Sequence, residues 1–430
     1  MSIDTETRPF AERVEERRAG ACRMLALRTL VRDVVAIRGS FKVYPDFAAG
    51  QDLVQDLAVL LLDKGTRRRD RFAIAEALES RGAQLQFFSD GLRVVFSGRV
   101  LRDDLSEVLA ILAEELIEPL FDAGEFEKAR AQLAASLRRS MENTASQASA
   151  ALSRRIYGRA HPNYQPPPEE DLERLATITV DDVRAFHAKH FGANDLTTAL
   201  VGDLDVEAAE AVLRERLGAW TQGTEQASYA EHAEEEAPGR SLVPVPDKQN
   251  VDVRMGHGLP VRRQDAAYLP LFLGNFILGG NFSARLMSVI RDEMGLTYGI
   301  NSSLYGISAD YEGHWQVGVT LSRENVQRGI EATVAEVQRF VEGGATEAEL
   351  AEKQTTVTGK FKVDMATTTG LAATLLRNAE RGFDVGYLDR FPDEVSAVTL
   401  EAVNEAVRRY FHPDRFQLAM AGMLPDEGAV

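Results

Sequence analysis

Arg291 and Tyr298 stand seven residues apart in the segment Met287-Ser-Val-Ile-Arg-Asp-Glu-Met-Gly-Leu-Thr-Tyr-Gly-Ile-Asn-Ser302. A guanidinium is a permanently charged fork and a phenol is a directional donor, so both serve where negative charge develops on a reacting oxygen. The pattern ends a helix at Arg291 and begins a strand at Tyr298, which lets both side chains reach one cleft. Taken alone, the same residues also fit a solvated helix end and a half-buried strand. Gly279 and Gly280 lie just upstream in Leu278-Gly-Gly-Asn-Phe-Ser-Ala-Arg-Leu286, but neither G-x-x-x-x-G-K-[ST] nor G-x-G-x-x-G is present, so a phosphate loop is not indicated. His187 and His190 have i, i+3 spacing on a predicted helix, which could place two imidazoles on one face for a metal. No carboxylate or cysteine completes that set, and a packing face is the simpler reading. The basic run Lys64 to Arg71 reads as a solvated loop, and His161 to Pro168 as a rigid proline-rich one.

The elements that position these residues repeat themselves. Ile178 to Leu204 aligns without gaps on Val398 to Leu424, an offset of 220 residues. Six positions are identical: Thr179/Thr399, Val183/Val403, Phe191/Phe411, Ala199/Ala419, Gly202/Gly422 and Leu204/Leu424. Each copy reads as a helix, a short turn and a strand ending in glycine, so each half of the chain closes with the same unit. Leu92, Val94 and Phe96 alternate as a half-buried strand, and Leu105, Val108, Leu109, Leu112 and Leu116 recur at helical spacing. In the second half Val251, Val253 and Met255 alternate, as do Trp315, Val317 and Val319. Val326, Ile330, Val334, Val337 and Val341 form a helical stripe that stops at Gly343-Gly344. Residues 221–249 lose this periodicity and read as an acidic, proline-containing linker. The expectation is an α+β protein of two similar domains, 1–220 and 250–430, each a largely antiparallel sheet backed by helices.

Composition narrows the function. A net charge of −17 over 430 residues repels nucleic acid and anionic membrane surfaces. The single cysteine, Cys22, cannot form an internal disulfide, and no apolar run is long enough to span a bilayer. The N-terminal stretch has no signal-peptide h-region. A cytoplasmic protein without nucleic-acid or membrane partners is the expectation.

The segment around Arg291 and Tyr298 resembles the C-terminal half of the pitrilysin and insulinase metallopeptidases, family M16, and within it the shorter bacterial type akin to mitochondrial processing peptidase. In the first half Gly39-Ser40, Gly50, Leu62-Asp-Lys-Gly65-Thr66, Ser80-Arg-Gly82, Glu118-Pro-Leu-Phe121 and Phe126-Glu-Lys follow in family order. The resemblance implies a clam-like body around a peptide chamber, with an extended peptide adding to a sheet edge. It also implies a zinc site on the helix after Gly50, built from His-x-x-Glu-His and a distant Glu. This sequence departs there. Counting forward from Gly50 puts Leu53, Asp56 and Leu57 at those positions, and counting back from Gly65 puts Asp56, Val59 and Leu60 there. The distant ligand falls near Ala134 to Leu137, which holds no carboxylate.

The Arg/Tyr pair of the family matches Arg291 and Tyr298, whose implied role is to hold the scissile carbonyl region and the developing oxyanion. Gly279 and Gly280 match a glycine-rich stretch linked to substrate handling. The resemblance therefore implies a subunit that binds no zinc itself and completes a heterodimeric endopeptidase with a His-x-x-Glu-His partner, which carries the zinc and acts on unfolded peptides. An inert scaffold or peptide-holding subunit is the alternative.

Overall fold

The computed structural model describes residues 8–234 and 237–423. The chain forms two compact units. One comprises Met1–Ala134, Glu173–Tyr229 and Lys360–Phe391, the other Ala135–Leu172, Ala230–Gly359 and Pro392–Val430. Each unit is thus built on one half of the chain and includes a segment from the other half.

The first unit holds strands β1 (Val14–Ala19), β2 (Cys22–Arg28), β3 (Val34–Lys42), β4 (Gln84–Asp90), β5 (Arg93–Leu101) and β6 (Thr197–Gly202), in the order β1-β2-β6-β3-β5-β4. Only the β2/β6 pair is parallel. The middle strands β3 and β6 are buried over most of their length, so they read as apolar runs, whereas the edge strand β4 alternates exposed and part-buried residues. One face of this sheet packs against the helix Thr368–Glu380: Leu371, Ala372, Leu375 and Leu376 meet Leu25, Leu27, Ala36, Ala199 and Val201. Ser40 donates to Glu380 Oε1 across the same contact at 2.6 Å.

The second unit holds β7 (Arg240–Pro244), β8 (Asn250–Leu259), β9 (Thr297–Tyr305), β10 (Gly313–Ser322) and β11 (Gln417–Gly422), ordered β7-β11-β8-β10-β9. Its only parallel pair is β7/β11. This is the order β2-β6-β3-β5-β4 of the first sheet, without a counterpart of β1. The alanine-rich helix Thr144–Ile156 lies against it, with Ala148, Ala151 and Leu152 meeting Ala419, Ala421 and Val245. Small side chains on both surfaces let the helix approach closely. Within 221–249, Thr221 and Glu225 bond the backbone of Ala193 and Lys189, and the stretch includes β7.

The repeated residues have a shared physical task. Thr179 accepts from Asp182 N and Thr399 from Ala402 N, each capping the helix that follows. Gly202 and Gly422 close their strands at φ 145° and 143°, where a side chain would lie 2.0 Å from Val34 O and 2.6 Å from Asn250 O. Only glycine satisfies both demands. Leu424, the last repeated position, lies outside the described residues.

Candidate functional site

Arg291 belongs to a π-helical turn, Met287–Glu293, in which Met294 N donates to Val289 O five residues back at 3.0 Å. The predicted helix end is therefore a wider turn, a geometry that recurs at functional sites. Gly295, at φ 63°, reverses the chain, and buried Leu296 anchors it before β9. Arg291 Nη1 donates to Asp292 Oδ1 at 2.8 Å, and its guanidinium lies 4.8 Å from the ring centre of Phe282.

Tyr298 is 98% exposed. Its exposure has a local cause in strand register. Val319 pairs with Ile300 and Leu321 with Thr297, so β9 carries one residue more than β10 across this interval. The resulting bulge places Tyr298 and Gly299 side by side on the outside, while Thr297 and Ile300 are both buried. Thr297 braces the bulge, its Oγ1 donating to Thr320 O at 2.6 Å and accepting from Gly299 N at 3.0 Å. The phenol has no hydrogen bond to any described residue.

Gly279 and Gly280 end the helix Tyr268–Leu278. Gly279 O accepts from Ser302 N at 2.9 Å, binding the loop to β9, and a side chain on Gly279 would lie 2.6 Å from that same nitrogen. The loop beyond them is fixed by two cations that sequence reasoning did not single out. Lys353, 2% exposed, donates to Ser283 Oγ at 2.8 Å and to Asn281 Oδ1 at 3.2 Å. Arg285 grips Glu349 through two bonds of 2.5 and 2.7 Å. Burial would raise the Glu349 carboxyl, but Arg285 and Thr346 outweigh it and hold its pKa at about 2. Between these anchors Phe282 remains 69% exposed. A glycine pair followed by an apolar residue and an arginine was the available signal; the burial of Lys353 left none.

The helix Gln51–Leu61 carries the positions where the resemblance expects zinc ligands. Leu53 and Leu57 are buried and Val59 is 5% exposed, so in either register two of the three side chains are aliphatic and have no lone pair to offer. No group of three or more His, Cys, Asp or Glu able to hold a metal ion occurs among the described residues. These residues do not fit zinc. The acidic groups of this helix are Asp52 and Asp56, one turn apart, while its buried Gln55 donates to Gly91 O and Arg93 O. Burial raises the Asp56 carboxyl to about 6; the nearby Ser89 hydroxyl offsets part of that and repulsion from Asp52 adds to it.

The histidine pair has packing roles. His187 Nε2 bonds Leu116 O at 2.9 Å, and burial lowers its pKa to about 4. His190 stacks on Phe186 with ring centres 4.4 Å apart.

Two sheets of one topology backed by helices, with aliphatic side chains at the positions where the resemblance expects zinc ligands, describe the fold of the M16 peptidases. Two models of one family match the sequence, "Insulinase (Peptidase family M16)" over residues 57–163 and "Peptidase M16 inactive domain" over 177–357, and the chain belongs to peptidase family M16. It is similar to the non-peptidase homolog YmxG of Helicobacter pylori, 23% identical over 356 residues that cover 81% of this chain and 80% of that protein. It is also 23% identical to an uncharacterized zinc protease, YmxG, of Bacillus subtilis, over 82% of this chain and 84% of the relative. Among solved structures, a peptidase M16 inactive domain from Pseudomonas fluorescens matches with a TM-score of 0.85 and 25% identity, covering 95% of this chain and 97% of that one.

Proposed function

We propose that this chain is the non-zinc-binding subunit of a heterodimeric M16 endopeptidase. In this reading Arg291 and Tyr298 hold the scissile carbonyl region of a peptide and stabilise the oxyanion as it forms, beside the Gly279-Gly280 loop. A partner chain bearing His-x-x-Glu-His supplies the zinc, in the reducing setting of the cytoplasm. The observation that carries this is Tyr298. A tyrosine kept for packing would be buried, whereas this one is turned outward by a bulge, seven residues after an arginine whose guanidinium lies over Phe282. A donor with no partner among the described residues is available to a developing oxyanion, which is how such groups lower a barrier.

A second reading, an inert scaffold or peptide-holding subunit, draws on the printed name of the Helicobacter pylori relative, a non-peptidase homolog. A quenched, unstructured peptide separates the two. It is offered to this chain alone, to a motif-bearing partner alone, and to the mixture with zinc. Cleavage only in the mixture, reduced about 100-fold by Arg291→Ala or Tyr298→Phe, is the expected outcome. Cleavage by this chain alone overturns the proposal, and no cleavage in any mixture selects the scaffold.

A further inference from the structure

Lys353 is carried by the helix Glu347–Asp364 and is only 2% exposed. Its Nζ donates to Ser283 Oγ at 2.8 Å, to Asn281 Oδ1 at 3.2 Å and to Ser283 O at 3.4 Å, all in the loop after Gly280, and to its neighbour Glu352 Oε1 at 2.7 Å. Taking a cation out of water is costly, and an apolar side chain of similar volume often serves stability as well. Stability alone therefore does not account for a lysine at this position. What a buried cation adds is register, because its donors hold particular acceptors in place.

Those acceptors flank a single residue. Asn281 and Ser283 stand on either side of Phe282 and also bond each other, Ser283 N and Oγ donating to Asn281 Oδ1 at 3.1 and 2.9 Å. Asn281 Nδ2 donates to Phe276 O at 2.6 Å, which ties the same turn to the preceding helix. The chain is thus gripped on both sides of Phe282, while the ring itself stays 69% exposed. Over that ring lies the Arg291 guanidinium, 4.8 Å from its centre. A cation rests on an aromatic face only where that face is held in one place.

We propose that Lys353 is a positioning residue: by holding Asn281 and Ser283 it fixes Phe282, and Phe282 in turn fixes the guanidinium of Arg291. Its consequence for catalysis rests on the reading of Arg291 as a peptide-holding group, and the experiment keeps the two apart. Fluorine NMR of the full chain alone, with para-fluorophenylalanine at position 282, reads the ring. Arg291→Gln should shift the resonance, because it removes the charge lying over the ring. In a Lys353→Met background the same substitution should give less than half of that shift, a coupling that a double-variant cycle isolates. Lys362→Met, an exposed lysine of the same helix, should leave the shift intact. Ser283→Ala removes the shortest bond to the loop and should give a smaller loss, and it serves if circular dichroism shows that Lys353→Met does not fold. An equal response to Arg291→Gln in both backgrounds overturns the proposal, as does no response in either. In the zinc mixture with a motif-bearing partner, Lys353→Met should reduce cleavage by up to about 100-fold and leave Arg291→Ala little further to cost. Cleavage that Lys353→Met leaves unchanged also overturns it. A wild-type mixture that cleaves nothing counts against the peptidase reading, and the fluorine response then decides the role of Lys353 by itself.

Discussion

Asp56 should make the first unit less stable at neutral pH than its amide. The side chain is part-buried on the helix Gln51–Leu61, and its carboxyl is raised from 3.8 to about 6, chiefly by burial and further by Asp52. A carboxylate whose pKa is higher folded than unfolded binds its proton more tightly in the native state. Its contribution is therefore intact below pH about 4 and is lost as pH rises to about 6, after which the loss is constant. A rise of that size corresponds to about 3 kcal/mol, which partial exposure trims to about 2–3 kcal/mol. Asp56→Asn resembles the protonated form and carries no such dependence. Urea unfolding in a Trp315→Phe background leaves Trp220, packed edge-on against Phe41 in the first unit, as the fluorescent reporter. The variant should match the wild type near pH 4 and exceed it by about 2–3 kcal/mol at pH 8. A gap that does not change with pH, or a variant less stable at pH 8, would mean that Asp56 is ionised and paired in the folded protein, and the reasoning from burial would fail.

Two further outcomes follow from the same physics of burial and backbone freedom. Glu115 is fully buried with neither carboxylate oxygen hydrogen-bonded to a described residue, and burial, with Asp63 and Glu114 adding repulsion, raises its pKa well above the ordinary value. Glu115→Leu should raise stability by an amount that grows from pH 4 toward pH 8, as read by thermal unfolding across that range. Gly359 lies within the helix Glu347–Asp364 and an added Cβ would meet nothing within 4 Å. Gly359→Ala should stabilise by up to about 1 kcal/mol in urea denaturation, and a destabilised variant would show that the helix must bend or open there.

Much of the fold was legible because its rules are local. The apolar spacing of Leu105 to Leu116 and of Val326 to Val341 marked helices that the structure places at Leu105–Ile117 and Val326–Gly343. The alternation at Val251 and at Trp315 marked β8 and β10. The repeat carried its own explanation in capping threonines and in glycines that close two strands. That leucine and valine stand where the resemblance expects zinc ligands was also legible, and neither offers a lone pair in any geometry.

Other features depended on partners distant in sequence. Periodicity marks which face of a helix is apolar but not which sheet that face will cover, so nothing in the residue pattern signalled that Thr144–Ile156 packs in the second unit and Thr368–Glu380 in the first. Arg291 and Tyr298 were singled out by their spacing together with the family resemblance around them. That Tyr298 is turned outward came from a bulge that exists only in the register between β9 and β10. The burial of Lys353 has the same origin. Composition and spacing determined which candidate groups this chain offers and where aliphatic side chains stand in their place. Tertiary structure alone decided which of those groups are buried and which face solvent, because burial is a property of surfaces brought together and not of the residues that form them.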